Sequence, residues 1–342
     1  MRYAMLLKPH ANVRYRLSLQ KLALIELECL LNAWGVANAR PSVAFVSGEP
    51  FLTFEAEALP PDAWNALSRH SGVCLAARLD SQDALRPLPR GAVRYEDLPQ
   101  VLKYKGKTNA DFTRMLLHCA QCASDFARQP GPLRVLDPVC GKATTLFCAF
   151  SEGHDALGVD VDARALHEAD AYFARYLRLN HLKHKRTASS LTLRGGGNAA
   201  ETAFSVAFED SPALSVRLVH GDARRIGDML RPGSCHIAVA DLPYGVQHAP
   251  KGVSGLMTPL RLLQEALPGC VQALAPGGAM AVSFNLHTLR REDAVDAMRQ
   301  AGLEVLSAPP YDDFSHWVEQ AVDRDAVVGR KDSIKPPVRK QT

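Results

Sequence analysis

The chain has 342 residues, of which 47% are hydrophobic and 22% charged, and its formal net charge is +4. These values are ordinary for a soluble globular protein, and the length suits one large domain with a smaller one beside it. No apolar run approaches the roughly 18 residues of a membrane helix, and the apolar N-terminal stretch is too short for a signal peptide. We therefore expect a cytoplasmic protein.

Cys119 and Cys122 form a CxxC pair without a second pair, so no metal is predicted.

Residues 1–80 predict a small α+β domain. Apolar residues at a spacing of about 3.6 over 15–34 predict an amphipathic helix, and a second helix begins at Pro61. Strands are predicted at 42–46, 50–54 and 73–79. Residues 81–102, with several prolines and a glycine, are predicted to be a linker.

From residue 103 to 328, strands and helices alternate, which predicts a parallel sheet covered by helices on both faces. The strands are predicted at 133–136, 156–159, 216–219, 236–240, 279–284, 303–307 and 317–321. Residues 183–214 are expected to be an irregular surface insertion, and residues 329–342 a basic tail. Because ligands of such sheets bind beyond the carboxyl ends of the strands, the site residues are sought there.

An acidic residue follows each of three predicted strands. Asp137, with Gly141 in the turn after it, begins a strand–turn–helix unit whose backbone N–H groups can face a ligand. Asp160 follows 23 positions later, near the spacing of about 20 at which an acid holds ribose hydroxyls. Asp222 is placed where a carboxylate can accept a hydrogen bond from an adenine amine. Each alone fits an ordinary turn or helix cap, but the series favours a nucleotide-like ligand.

A fourth acid begins the segment Asp241-Leu242-Pro243-Tyr244-Gly245. An exocyclic base amine is a poor nucleophile because its lone pair is delocalised into the ring. Asp241 and a nearby backbone carbonyl can accept its two hydrogens and orient the nitrogen. Pro243 fixes the backbone, and Tyr244 offers a ring on which an extruded base can stack. The ordinary alternative is an Asp-Pro turn with a core tyrosine.

This order of motifs resembles the class I S-adenosylmethionine-dependent methyltransferases that modify amino groups, whose signature is [Asp/Asn]-x-Pro-[Tyr/Phe]. Gly245 and the segment Tyr-Lys-Gly-Lys-Thr-Asn at 104–109 are similar to the tRNA guanine-N2 methyltransferases associated with THUMP modules. The resemblance covers about 103–328 and implies a Rossmann-like, seven-stranded sheet. The N-terminal unit resembles the ferredoxin-like piece that precedes THUMP modules, although about a hundred residues are too few to hold both. Lys142 and Ala143 also depart from the family's loop, which is richer in glycine or serine.

The resemblance implies S-adenosylmethionine as the cofactor. By position, Asp137 and Gly141 would line its methionine part, Asp160 its ribose and Asp222 its adenine. Thr108 and Asn109 would close over the cofactor, unless they only cap the following helix. The catalytic residues would be Asp241, Pro243 and Tyr244.

The primary hypothesis is therefore an RNA methyltransferase that acts on guanine N2, with tRNA as the first expectation. A DNA amino-methyltransferase shares the motif, but no target-recognition domain is evident. A non-catalytic tRNA-binding protein on the same fold is a third possibility, and a protein-glutamine methyltransferase usually has asparagine at the first motif position. The target nucleotide, the number of methyl groups added and any protein partner stay open.

Overall fold

The computed structural model describes residues 1–10, 12–36, 38–46, 48–80, 84–102, 108–243 and 257–333. Its strands are β1 (Arg2–Leu7), β2 (Ser42–Val46), β3 (Glu49–Glu55), β4 (Val73–Leu79), β5 (Leu85–Leu88), β6 (Arg134–Asp137), β7 (Asp155–Asp160), β8 (His184–Thr192), β9 (Asn198–Val206), β10 (Leu214–His220), β11 (Cys235–Asp241), β12 (Leu274–Asn285), β13 (Leu303–Val305), β14 (His316–Glu319) and β15 (Val322–Lys331). Its helices are α1 (Val13–Ala33), α2 (Pro61–Ser68), α3 (Leu98–Val101), α4 (Ala110–Ala123), α5 (Thr144–Ser151), α6 (Ala163–Leu179), α7 (Ile226–Met229), α8 (Pro259–Ala273) and α9 (Arg291–Gln300).

The N-terminal unit is an antiparallel sheet with strand order β2-β3-β1-β4-β5. Its chain order of β1-α1-β2-β3-α2-β4, with β1 paired to both β3 and β4, is the ferredoxin-like arrangement. This agrees with the expected small α+β domain. The edge strand β5 pairs with β4, so the sheet continues into the predicted linker 81–102.

The larger sheet has the order β13-β15-β12-β11-β6-β7-β10-β9-β8. Strands β10, β7, β6, β11 and β12 are parallel, and β15 joins them antiparallel. The predicted Rossmann-like α/β fold is confirmed by this order, in which seven central strands, from β13 to β10, form the expected sheet. The chain winds outward in both directions from β6, which creates a crevice at the carboxyl ends of β6 and β11.

Two parts of this sheet differ from the sequence-based expectation. Residues 183–214 were expected to be irregular, but they contain the hairpin β8–β9, which extends the sheet beyond β10. Strand β15 was not predicted, and it overlaps the start of the predicted tail at 329–342. Charged residues hid it, since Arg324 and Asp325 interrupt the apolar pattern although they are only 4% and 2% exposed.

Apolar side chains dock the two units on each other. Leu22 and Cys29 of α1 belong to the same buried cluster as Phe112 and Met115 of α4. Helix α4 precedes β6, so the N-terminal unit packs directly beside the sheet that carries the candidate site. Among the residues described, no helix is long and apolar enough to cross a membrane.

Candidate active site

The four acids lie at the carboxyl ends of four neighbouring parallel strands. Asp137 ends β6, Asp160 ends β7 and Asp241 ends β11, while Asp222 follows β10 by two residues. The pairing registers match Asp137 with Gly158 and His220 with Asp160. Because the strands are parallel, all four carboxylates meet at one edge of the sheet, as the sequence predicts.

The turn after β6 is tied to the neighbouring strand β7. The Gly141 N–H donates to Asp160 Oδ2 at 2.7 Å, and the Cys140 N–H donates to the Val159 carbonyl at 3.0 Å. Gly141 has φ +49°, and a Cβ built on it would meet nothing within 4 Å. The turn is therefore fixed on the protein side and open on its other side, where a ligand can approach the backbone.

Asp137 lies in a low-dielectric environment close to other acids. Its side chain is only 3% exposed, and it accepts a hydrogen bond of 3.0 Å from the Val139 N–H. Burial raises the pKa of Asp137 to about 7, with further raising by Asp160 and Asp241, and hydrogen bonds from Thr145 and Val139 offset only part of this. A site of this kind favours a cationic ligand, which would stabilise the ionised carboxylate.

Asp160 and Asp222 are both engaged by the protein itself. The Asp162 N–H donates to Asp160 Oδ1 at 2.8 Å, and burial raises the pKa of Asp160. Arg224 Nε donates to Asp222 Oδ2 at 2.8 Å, and the Arg224 N–H donates to Oδ1 at 2.9 Å. Burial opposes the ionised form of Asp222, but Arg224 outweighs it and lowers the pKa. Both acids stand at the expected edge, and their ribose and adenine roles stay predictions.

Asp241 is held by two hydroxyl groups from distant parts of the chain. Thr108 Oγ1 donates to Oδ2, and Ser283 Oγ on the neighbouring strand β12 donates to Oδ1. The Leu242 N–H donates to the Ser283 carbonyl at 2.9 Å, which continues the β11–β12 pairing toward Pro243. These two hydroxyl donors, which contact different oxygens, fix the plane of the carboxylate.

Part of the predicted site lies outside the described residues. The undescribed part comprises Tyr244 and Gly245 of the motif and residues 104–107 of the segment before α4. Thr108 and Asn109 are described. Asn109 caps α4, since its Oδ1 accepts the Asp111 N–H at 2.8 Å, so its cap interpretation is confirmed and a cofactor role stays a prediction.

Three residues near this site were not found from the sequence. Ser283 had a visible signal, because it is the one polar residue of the predicted strand 279–284, and it is fully buried. Tyr15 and His316 had none. Asn109 Nδ2 donates to the Tyr15 hydroxyl at 3.5 Å, and the rings of His316 and Phe112 lie 5.1 Å apart. Only the docking of α1 and β14 against α4 brings these side chains to the site.

Within the described part of the chain, no group of three or more His, Cys, Asp or Glu side chains is arranged to hold a metal ion.

No protein-family model matches the chain, and no curated protein matches it. TrmN from Thermus thermophilus is 18% identical, with a TM-score of 0.41 over 89% of this chain and 65% of that one, so this chain spans just under two thirds of it. A TehB-like SAM-dependent methyltransferase from Corynebacterium glutamicum is 15% identical, with a TM-score of 0.38 over 66% of this chain and 90% of that one. A precorrin-6y C5,15-methyltransferase from Geobacter metallireducens is 13% identical, with a TM-score of 0.40 over 70% and 98%. These scores are low, so the fold assignment rests on the strand order.

Proposed function

We propose that this chain is an S-adenosylmethionine-dependent methyltransferase that modifies an exocyclic base amine, guanine N2 in RNA, with tRNA as the first substrate class. The observation that carries the proposal is Asp241. It ends a central strand at the switch point of the sheet, it is followed by Leu-Pro-Tyr-Gly, and two hydroxyl groups orient its carboxylate.

The residues present fit this cofactor. S-adenosylmethionine carries a positive sulfonium and a positive ammonium group, and it supplies an electrophilic methyl group when it is bound. The carboxylates of Asp137, Asp160 and Asp241 lie near one another in a largely buried edge of the sheet, which favours such a cation. The open side of the turn at Gly141 gives the ligand room beside the backbone.

Asp241 would orient the amine and receive its proton. Its carboxylate accepts one N–H of the base, which turns the nitrogen lone pair toward the methyl group. Methyl transfer would place positive charge on the nitrogen, and the Asp241 carboxylate would stabilise it. The nitrogen then loses a proton to Asp241, which passes it to water. Pro243 would fix the backbone so that a carbonyl accepts the second hydrogen.

The choice of guanine in RNA rests on Gly245 and on residues 104–109, which are similar to the tRNA guanine-N2 enzymes. The docked ferredoxin-like unit gives this proposal physical support. Its helix α1 brings Tyr15 to Asn109 at the edge of the site, so a nucleic acid that reaches Asp241 passes beside the N-terminal unit.

The experiment is transfer of a tritiated methyl group from the cofactor to bulk tRNA, ribosomal RNA and DNA, followed by nucleoside analysis. We expect N2-methylguanosine in RNA. Asp241→Ala should reduce transfer about 1000-fold while the cofactor affinity changes little. Asp293→Ala, which removes an acid that pairs with Arg290 at the start of α9, serves as the control. Label in DNA alone would favour the DNA amino-methyltransferase. The proposal fails if no nucleic acid is labelled and the cofactor does not bind.

A further inference from the structure

A cavity lies at the opposite end of the larger sheet from Asp241. Its volume is about 490 Å³, and residues just before or at the start of β6, β7 and β10 line it, among them Pro132, His154 and Leu214. The N-terminal unit forms another wall, with Trp34 at the end of α1 and Arg69 after α2. The cavity therefore lies between the two units, at the amino ends of the strands.

Two arginines of this cavity lie over aromatic rings. The Arg94 guanidinium carbon lies 5.3 Å from the centre of the Phe208 ring, and that of Arg128 lies 5.6 Å from the centre of the Trp34 ring. Arg94 Nη1 donates to Ser211 Oγ at 2.9 Å, and Arg128 Nε donates to the Ala33 carbonyl at 2.6 Å. Ring and hydrogen bond together fix each planar group.

The charge of these two arginines is not neutralised within the described part of the chain. Neither Arg94 nor Arg128 forms an ion pair with a carboxylate there. The third arginine in the cavity wall, Arg69, does pair with Glu152, and it also donates to the Glu152 carbonyl at 2.8 Å. Of the described acids that line the cavity, only Asp62 remains beside Glu152. The cavity therefore carries a net positive charge at its two ordered guanidinium groups.

A glycine allows the position of Arg128. A Cβ built on Gly35 would lie 3.0 Å from Arg128 Nη2, and Gly35 has φ +66°, a conformation that side chains rarely adopt. Both the backbone and the space at the end of α1 thus suit the guanidinium that lies over Trp34.

We infer that this cavity is a non-catalytic binding site for the phosphate of a nucleotide, held by Arg94 and Arg128. Fixed guanidinium groups match phosphate oxygens with paired N–H donors, and their exposed planes can stack on a base. The volume lies within the usual range of roughly 300–1000 Å³ for ligand sites. The phosphate could belong to the RNA substrate or to a free nucleotide, and only the first source rests on the proposed function.

The test compares Arg94→Ala/Arg128→Ala with Arg290→Ala/Arg299→Ala, a pair at the two ends of α9 that removes the same charge. Binding of fluorescent tRNA is measured by anisotropy at several salt concentrations, and binding of free GMP by calorimetry. We expect the cavity variant to weaken one of these at least tenfold. If the ligand is RNA, the magnitude of its salt slope should fall by about 1.4 to 1.8, since each of the two phosphate contacts contributes roughly 0.7–0.9. Unchanged cofactor affinity and Tm show that the variant is folded.

The two binding measurements, with tRNA and with GMP, identify the source of the phosphate. Weaker tRNA binding with no GMP binding assigns the site to RNA, and GMP binding that requires the two arginines assigns it to a free nucleotide. Affinities for tRNA and GMP that match those of the control variant overturn the inference. Methyl transfer distinguishes this failure from failure of the proposed function. If wild type labels RNA but the cavity variant binds tRNA and GMP as the control variant does, only the proposal of a cavity site fails. Absence of labelling, with GMP binding that needs the arginines, removes only the proposed function.

Discussion

In Asp137, folding of the free protein and binding of a cationic ligand favour opposite ionisation states. Its pKa is about 7 in the folded protein, because burial raises it from 3.8. Folding therefore favours the protonated carboxyl. The stability from this group is fully present below pH 3.8 and is lost as the pH rises through 7. A cationic ligand reverses this preference, because it stabilises the ionised carboxylate.

Asp137→Asn should therefore stabilise the ligand-free protein at pH 8. One pKa unit corresponds to about 1.4 kcal/mol, and we expect a gain on the order of 2 kcal/mol in the free energy of unfolding, measured by urea denaturation. The gain should shrink as the pH is lowered toward 4. A variant that is less stable than wild type at pH 8 would show that the ionised carboxylate is satisfied in the folded chain.

The same group should make cofactor binding depend on pH. Wild-type affinity for S-adenosylmethionine should rise between pH 6 and pH 8, because binding requires the ionised form of Asp137. Calorimetry in buffers of different ionisation enthalpy should detect proton release on binding near pH 6. In Asp137→Asn the affinity should be lower and the pH dependence should be lost. A flat wild-type profile contradicts the expectation.

Ser283 should act on catalysis through the orientation of Asp241. Ser283→Ala removes one of the two hydroxyl groups on that carboxylate, and we expect methyl transfer to fall about 10- to 100-fold, since small misplacements of reacting groups have effects of this size. Thr108→Ser keeps the other hydroxyl and should stay within about threefold of wild type. Cofactor affinity is measured alongside. If Ser283→Ala weakens cofactor binding as much as turnover, its role is not positioning.

For single residues, the sequence predicted the positions of the four site acids but not the side chains that hydrogen-bond to them. Asp137, Asp160, Asp222 and Asp241 could be found because each follows an apolar strand in a parallel sheet. The link from Asp241 to Thr108 spans 133 positions, and no local pattern reports a contact at that separation. It forms only because α4 begins beside the end of β11.

At the scale of elements, the turn that leads into α5 contains backbone strain at Ala143. This residue is fully buried with φ 69°, a region that costs energy for a residue with a side chain. The corresponding loop of the methyltransferases that this sequence resembles is richer in glycine or serine. The structure gives a physical reason, since glycine adopts this conformation without strain.

Ala143→Gly should therefore be tolerated, while Ala143→Val should lower the Tm by several degrees, because β-branched side chains are strongly disfavoured at this φ. Differential scanning fluorimetry with and without the cofactor measures both effects. We expect the valine variant to lose cofactor affinity as well, since the turn at Gly141 is continuous with Ala143. Equal Tm values for the two variants would argue against strain at this position.

The spacing of apolar residues predicted most helices and strands. It failed for strands whose formation depends on tertiary contacts. Strand β4 has the predicted bounds, Val73–Leu79. Strand β15 was missed because Asp325 looks like a surface residue, yet in the fold it pairs with Arg291 at 2.9 Å. The hairpin β8–β9 was missed because β8 is almost wholly exposed and so has no apolar face. Apolar spacing predicts neither a strand that contains a buried charge nor an exposed strand at the edge of a sheet.

At the scale of the whole molecule, a buried ionic network joins the two units. His118 Nδ1 donates to Glu26 Oε1 at 2.6 Å, and its Nε2 lies 3.6 Å from Glu152 Oε2. Burial opposes the charged form of His118, but the two carboxylates outweigh it and raise the pKa to about 9. Burial likewise opposes the ionised form of Glu26, yet its partners, His70 first, lower the pKa to about 2.

This network should contribute most between about pH 4.5 and 6.5. The contribution of His118 is fully present below 6.5 and is lost as the pH rises through 9, and that of Glu26 is lost as the pH falls from 4.5 through 2. His118→Asn leaves two buried carboxylates and should cost about 3–5 kcal/mol at pH 6, with a smaller difference from wild type at pH 9.5. Urea denaturation at both values measures this. If the variant does not fold, Glu26→Gln provides the same comparison, and a difference that does not change with pH contradicts the assignment.

The ion network also limits how this chain can be divided or recombined. Glu26 comes from the ferredoxin-like unit, whereas His118 and Glu152 come from the other, so each unit separately would contain charges that have lost some of their partners. We therefore expect a fragment without residues 1–80 to be less stable than the whole chain, and exchange of the N-terminal unit with that of another protein to require an acid at the position of Glu26. We therefore expect the two units to unfold together.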